Sequence, residues 1–182
     1  MNKYIVSLHS IPKLKPNVSC IGNFDASHKG HQALYKKTIS LARKNHLKAY
    51  IIVFSKDPNT VLFNESPLYS LETRIKLYKE YGFDGVIIIK VNKSFFNMKA
   101  NDFINKYLLK FNIKHLVCGY DYKLGKDHKG NCKLLNKYFN HLSVIKAVKY
   151  KGKKISTRRI KEAINKNDYY NASRMLGYEF KK

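Results

Sequence analysis

Two histidines three residues apart, His28 and His31, stand in the run Gly22-Asn23-Phe24-Asp25-Ala26-Ser27-His28-Lys29-Gly30-His31, between an apolar stretch and the start of a helical pattern. A strand that turns into a helix leaves the first helical N–H groups unpartnered, and with the positive end of the helix dipole they form an anion site. Gly30 lets an anion approach the backbone closely. On a first helical turn the two imidazoles share one face and reach one phosphate group. That set suggests nucleotidyl transfer. Taken singly, each histidine reads as a solvated or hydrogen-bonded helix-start residue. Zinc is the weaker rival, because helical zinc pairs are spaced i, i+4 and no Cys or Glu follows at suitable spacing.

The elements that must position these residues follow from the apolar runs. Strands are expected at 18–24, 48–54, 85–91, 114–119 and 142–148, short runs rich in Ile and Val and bounded by Gly, Asn, Asp or Lys. Helical spacing predicts helices over 31–45 through Leu34, Leu41 and Ala42, over 71–81 through Leu71, Ile75 and Tyr78, and over 100–111 through Ile104, Leu108 and Phe111. Alternating strands and helices with nearly continuous apolar strands imply an α/β fold, a Rossmann-like, doubly wound parallel sheet covered on both faces. A length of 182 residues reads as one domain, long enough for a sizeable core. Ligands in such sheets bind at the carboxyl ends of the strands. Four motifs fall at those ends or just beyond: 23–31, 54–58, 119–125 and 156–159.

These motifs also carry a resemblance. Gly22-Asn23-Phe24-Asp25 with His28-Lys29-Gly30-His31 resembles the His-x-Gly-His signature of nucleotidyltransferases, in the form found in the FMN adenylyltransferase module of bacterial bifunctional riboflavin kinase/FAD synthetases. Phe54-Ser55-Lys56-Asp57-Pro58 is similar to that family's Phe-Ser/Asp-Pro loop, and Gly119-Tyr120-Asp121-Tyr122-Lys123-Leu124-Gly125 to its Gly-x-Asp-Phe-x-Phe-Gly. Lys129-Gly130-Asn131 resembles the end of that loop, Ile155-Ser156-Thr157-Arg158-Arg159-Ile160-Lys161 resembles Ile-Ser-Ser-Thr-Arg-Ile-Arg, and Leu176-Gly177 with the aromatic Phe180 resembles a Leu-Gly-x-x-Tyr ending. The resemblance covers nearly the whole chain.

It implies transfer of AMP from ATP to the phosphate of FMN, giving FAD and pyrophosphate, with Mg²⁺ bridging the polyphosphate and few protein ligands. His28, His31, Asn23 and the backbone near Gly30 would hold the α-phosphate, and Ser156, Thr157 and Arg159 the leaving end. Gly22, Phe24, Asp25, Gly119 and Asp121 complete the nucleotide side, Asp25 orienting a histidine or meeting Mg²⁺. Asp57, Pro58, Phe63 and Tyr122 would line the flavin side. The phosphate of FMN attacks directly, so no Ser/His/Asp or Cys/His arrangement is required. The resemblance further implies an adenylyltransferase without the riboflavin kinase half, with FMN supplied by a separate kinase.

Several positions depart from the pattern. The family's Gly-Val is Ala26-Ser27, its Thr is Arg158, its last Arg is Lys161 and the Arg before Lys129 is His128. Lys161 keeps the charge but loses the planar two-point grip. Physics alone leaves the acceptor open: glycerol phosphate with CTP, or phosphopantetheine with ATP, suits the same signature.

A formal net charge of +24 points to a different class, a basic RNA-binding protein. The excess is Lys spread along the chain, only Arg43, Arg74, Arg158, Arg159 and Arg174 are Arg, and no nucleic-acid motif or long charge block accompanies them. No specific nucleic acid is therefore expected, and the charge serves to concentrate anionic substrates. Cys20, Cys118 and Cys132 have no Cys-x-x-Cys spacing, residues 1–10 do not form an apolar leader and no run reaches membrane-spanning length. The expectation is a cytoplasmic protein with reduced thiols and no membrane partner; segment 149–154 reads as a basic loop.

Overall fold

The computed structural model describes residues 1–56, 60–61 and 65–180. Among these, the strands β1 (Asn2–Val6), β2 (Asn17–Ile21), β3 (Lys48–Phe54), β4 (Gly85–Ile89), β5 (Ile113–Gly119) and β6 (Leu142–Ile145) form one sheet in the order β1-β4-β3-β2-β5-β6. Every neighbouring pair is parallel. All residues of β2 and β4 are buried. That is why these strands read as unbroken apolar runs rather than alternating ones.

The two faces of the sheet carry separate cores. On one, Val18, Cys20, Ile51, Val53, Val86 and Ile88 pack under α1 (Lys29–Lys44) and α2 (Leu71–Tyr81). On the other, Tyr50, Ile52, Phe54, Ile87 and Ile89 meet α4 (Ala100–Lys106), the 3₁₀ turn Leu108–Phe111 and α5 (Cys132–Tyr138); the short α3 (Lys93–Phe96) adds Phe95. A third cluster joins α6 (Thr157–Asn165) and α7 (Tyr169–Leu176) to Ala26.

From β2 the chain builds outward through β3 to β4, then returns to place β5 on the opposite side of β2. The order reverses between β2 and β5, so a crevice opens beyond their carboxyl ends. Gly22 follows the first of these strands and Gly119 ends the second.

The five expected strands and three helical segments are present, with three differences. An edge strand, β1, was not anticipated: it is only five residues long, begins with Asn and Lys, and leaves Ile5 52% exposed, so it lacks the apolar signal of a covered strand. The expected helix 100–111 tightens at Tyr107 into the 3₁₀ turn, which ends at Asn112 in the left-handed region. Segment 149–154 is a hairpin, β7 (Lys149–Tyr150) against β8 (Lys153–Lys154), turned by Lys151 and Gly152 at φ 50° and 74°. Positive φ at both central residues matches the right-handed strand twist, and the glycine makes half of it free of strain.

Candidate active site

The turn from Gly22 to His28 is held from every side. Phe24 and Ser27 adopt φ 52° and 43°. Left-handed backbone at such residues costs on the order of 1–2 kcal/mol each, so neighbouring contacts must enforce it. They do. Arg74 Nη1 donates to the Asn23 carbonyl at 2.6 Å. The Phe24 ring is buried with its faces and edges against His31, Tyr35 and Tyr78. The Asp25 carboxylate accepts from the amides of Leu68 at 2.7 Å and Tyr69 at 3.2 Å and lies 3.8 Å from Lys161 Nζ. Tyr178 Oη donates to the Ala26 carbonyl, Ser27 Oγ pairs with Tyr35 Oη, and Gln32 Nε2 donates to the Ser27 carbonyl.

His28 caps α1: its Nδ1 accepts from the His31 amide at 3.3 Å, which assigns the ring proton to Nε2. The two imidazoles stack with centroids 3.7 Å apart and planes 15° from parallel. A Cβ on residue 30 would sit 2.9 Å from His28 Cε1, so Gly30 makes room for this ring. Burial pushes the His28 pKa from 6.5 down to about 4, with Lys154 adding repulsion. Burial, then His28, Lys154 and Arg74, hold His31 well below its ordinary value. Both rings are neutral at pH 7. They offer hydrogen bonds at the N-terminus of a 16-residue helix whose first turn has no acidic residue.

Across the cleft, Ser156 caps α6 by accepting from the Arg159 amide at 3.3 Å. Asp121 pairs with Lys154, whose ammonium also lies 5.5 Å over the Tyr120 ring. The space between has a volume of about 760 Å³. Gly22, Asn23, Phe24, His28, Gly30 and His31 line one side, and Gly119, Asp121, Tyr122, Ser156 and Thr157 line the other. The sequence had placed all of these at the site, and the fold brings them to one cleft. Two of its choices face elsewhere. Asp25 serves the amides of the 68–69 segment, and the Arg159 guanidinium donates to the carbonyls of Lys153 at 2.9 Å, Lys154 at 2.6 Å and Tyr150 at 3.4 Å, bracing the hairpin. Asp57, Pro58 and Phe63 lie outside the described residues. Arg158 is solvent-facing beside Glu162, and Lys161 Nζ donates to the Ser66 carbonyl at 2.6 Å.

Beyond Phe54, which opens the 54–58 motif, sequence reasoning missed the rest of an aromatic wall, Lys154 and Arg74. Phe54, Phe95 and Phe103 form an aromatic wall with centroids 5.7–6.3 Å apart, and Phe96 and Met98 extend it along the cleft. Phe95 and Phe96 belong to a four-residue helix too short to show a period. Lys154 sits in a Lys run that reads as solvated. Arg74 lies on the face of Leu71 and Tyr78 but is charged, so the apolar pattern of that helix passes over it. Among the described residues no three His, Cys, Asp or Glu side chains cluster as a metal site, and no helix is long and apolar enough to cross a membrane.

The histidine pair that caps α1 thus stands at the switch point of a six-stranded parallel sheet. The same fold, by the whole-chain superposition, occurs in the pantoate–β-alanine ligase of Francisella tularensis, with a TM-score of 0.56 at 15% identity over 94% of this chain and 79% of that one. A Streptococcus pneumoniae structure described as a macrolide-efflux protein superposes with a TM-score of 0.88 at 26% identity, over 98% of this chain and 71% of that one. The chain belongs to the FAD synthetase family, whose sequence model matches residues 10–159. Among its curated relatives, the bifunctional riboflavin kinase/FMN adenylyltransferase of Buchnera aphidicola from Acyrthosiphon pisum is 35% identical over 98% of this chain, and that of Listeria monocytogenes is 28% identical over 90%. The chain spans 60% and 54% of the length of these two proteins.

Proposed function

We propose that the chain transfers AMP from ATP to the phosphate of FMN. An FMN phosphate oxygen bonds to the α-phosphorus of ATP, the α–β bridging P–O bond breaks, and FAD and pyrophosphate leave. The observation that carries the reading is the neutral imidazole stack on the N-terminus of α1, facing the N-terminus of α6 across a cleft with an aromatic wall. Two helix N-termini aimed at one space suit a polyphosphate, and a wall of tilted and edge-on phenyl rings suits a flat apolar ring system.

In this reading His28 Nε2, His31 and the first amides of α1 hold the α-phosphate as charge develops on it. Ser156 and Thr157 hold the departing pyrophosphate, with Arg159 fixing the hairpin that presents them. Gly119 and Asp121 take the nucleoside, Asp121 accepting from ribose hydroxyls once Lys154 turns to phosphate. Tyr122 and the phenylalanine wall take the flavin. Magnesium would enter as part of the ATP complex, held mainly by the phosphates. The three unpaired cysteines suit a reducing compartment, and we place the activity in the cytoplasm.

The test is purified protein with Mg²⁺, ATP or CTP, and FMN, glycerol phosphate or phosphopantetheine, followed by chromatography. FAD formed from FMN and ATP supports the reading. Products only from another acceptor, or none, reject it.

A further inference from the structure

Arg74 lies on α2 at the turn spacing of the apolar Leu71 and Tyr78, is 2% exposed and is among the largest fully enclosed side chains of the protein. Nη1 reaches the Asn23 carbonyl at the back of the histidine turn, while the buried Nε has no hydrogen-bond partner. Among the described residues no carboxylate lies within 4 Å of the guanidinium. Arginine stays ionised at any pH at which a protein folds. Enclosing such a charge without a counter-ion costs several kcal/mol. The Asn23 carbonyl and the neighbouring Tyr78 hydroxyl do not account for that cost, because a neutral donor would satisfy them as well.

The other groups around the turn do not supply the same thing. Both imidazoles are neutral, the Arg159 guanidinium is engaged by three carbonyls, and Lys154 stands across the cleft beside Asp121 and Tyr120 rather than behind the turn. Arg74 is close enough to His31 for its charge to be felt there, beside those of His28 and Lys154.

We propose that Arg74 is a positioning residue for the transfer. It fixes the Asn23 carbonyl, and hence the 22–28 turn, and its enclosed charge is balanced by the polyphosphate bound on the opposite side of that turn. The assignment rests on the nucleotide reading of the cleft.

Two variants separate charge from shape. Arg74→Gln keeps a donor for the Asn23 carbonyl and removes the charge; Arg74→Lys keeps the charge and removes the planar fork. Binding of Mg-ATP and of inorganic tripolyphosphate is measured by calorimetry on the whole chain, alongside circular dichroism and steady-state KM and kcat for ATP. Folded R74Q should bind both probes about tenfold more weakly or worse, a loss of about 1.4 kcal/mol, with a matching rise in KM. R74K should regain most of the affinity while kcat stays low. A folded R74Q that binds both probes like the wild type overturns the proposal, as does an R74K that binds as weakly as R74Q. Should R74Q fail to fold, R74K decides: affinity near the wild-type value supports the assignment and a tenfold loss overturns it. Wild-type protein that binds neither probe sinks the nucleotide reading itself, a result distinct from either variant's failure.

Discussion

Acidification from about pH 7.5 to about pH 5 should destabilise this protein through the very histidines that its cleft presents. His28 has an ordinary value of 6.5 in the unfolded chain and about 4 in the fold, chiefly because burial penalises the charged ring. Between those values the unfolded state binds more protons than the folded one. Stability is therefore complete above pH 6.5 and lost as pH falls toward 4. The whole gap corresponds to about 3 kcal/mol, of which about 2 kcal/mol is gone by pH 5. His31, held down by the same burial and by its neighbour, adds in the same direction, as does His115, half-buried on β5. Asp84 and Glu72 have values lowered from 3.8 and 4.5, so their stabilising share disappears only below that window. The assay is urea unfolding at successive pH values for the wild type and His28→Asn. Asparagine is a good N-cap and offers an oxygen to the His31 amide, so capping survives while the titration does not. The variant should keep about 2 kcal/mol of the stability that the wild type loses between about pH 7.5 and about pH 5. Parallel curves for the two proteins would refute the idea that the fold holds this ring neutral.

Other consequences are more local. His31→Ala should fold and lose roughly a hundredfold or more in FAD formation, as removal of a well-placed transition-state donor does; unchanged turnover would remove it from the proposed site. Gly130→Ala would place a Cβ 2.1 Å from Leu124 Cγ, and the overpacking should cost about 1–3 kcal/mol in thermal unfolding. An unaltered melting temperature would show that the 124–130 loop yields freely. Arg159→Met releases three carbonyls of the hairpin and its approach. It should cost about 2 kcal/mol of stability and raise KM for ATP through misplacement of Ser156; stability and KM both at wild-type values would dismiss the bracing role.

The sheet was legible because its central strands are enclosed on both faces. Runs such as Gly-Val-Ile-Ile-Ile in β4 leave little room for another assignment. β1 was not, since an edge strand with half-exposed Ile5 needs no apolar run. The cleft was legible where its residues occupy turns at strand ends, which the topology alone gathers at the reversal between β2 and β5. It was illegible where a function depends on which way a helical residue faces. Arg74 sits at the same turn spacing as the apolar Leu71 and Tyr78, but a charged residue in a pattern is assigned to water by default. Phe95 and Phe96 reach the cleft from one helical turn, and a single turn has no periodicity to detect.

The histidine signature divides into residues that face the cleft and residues that hold them there. Phe24 is wedged against His31, Asp25 ties the turn to the 68–69 amides, and Gly30 clears space for the His28 ring. Arg159 of the second signature likewise grips backbone rather than opening onto the cleft. This division has a physical cause. A donor set that must meet a developing charge gains only if it is fixed before the charge appears, and a turn with two left-handed residues fixes itself only under external constraint. Each structural member of the signature removes one way for the turn to relax. Loss of such a member therefore acts on the imidazoles at second hand, by letting 22–28 relax toward ordinary φ values. That separates them from His28 and His31 experimentally: their variants should lower stability and turnover together, whereas a variant of the cleft-facing ring lowers turnover with the fold intact.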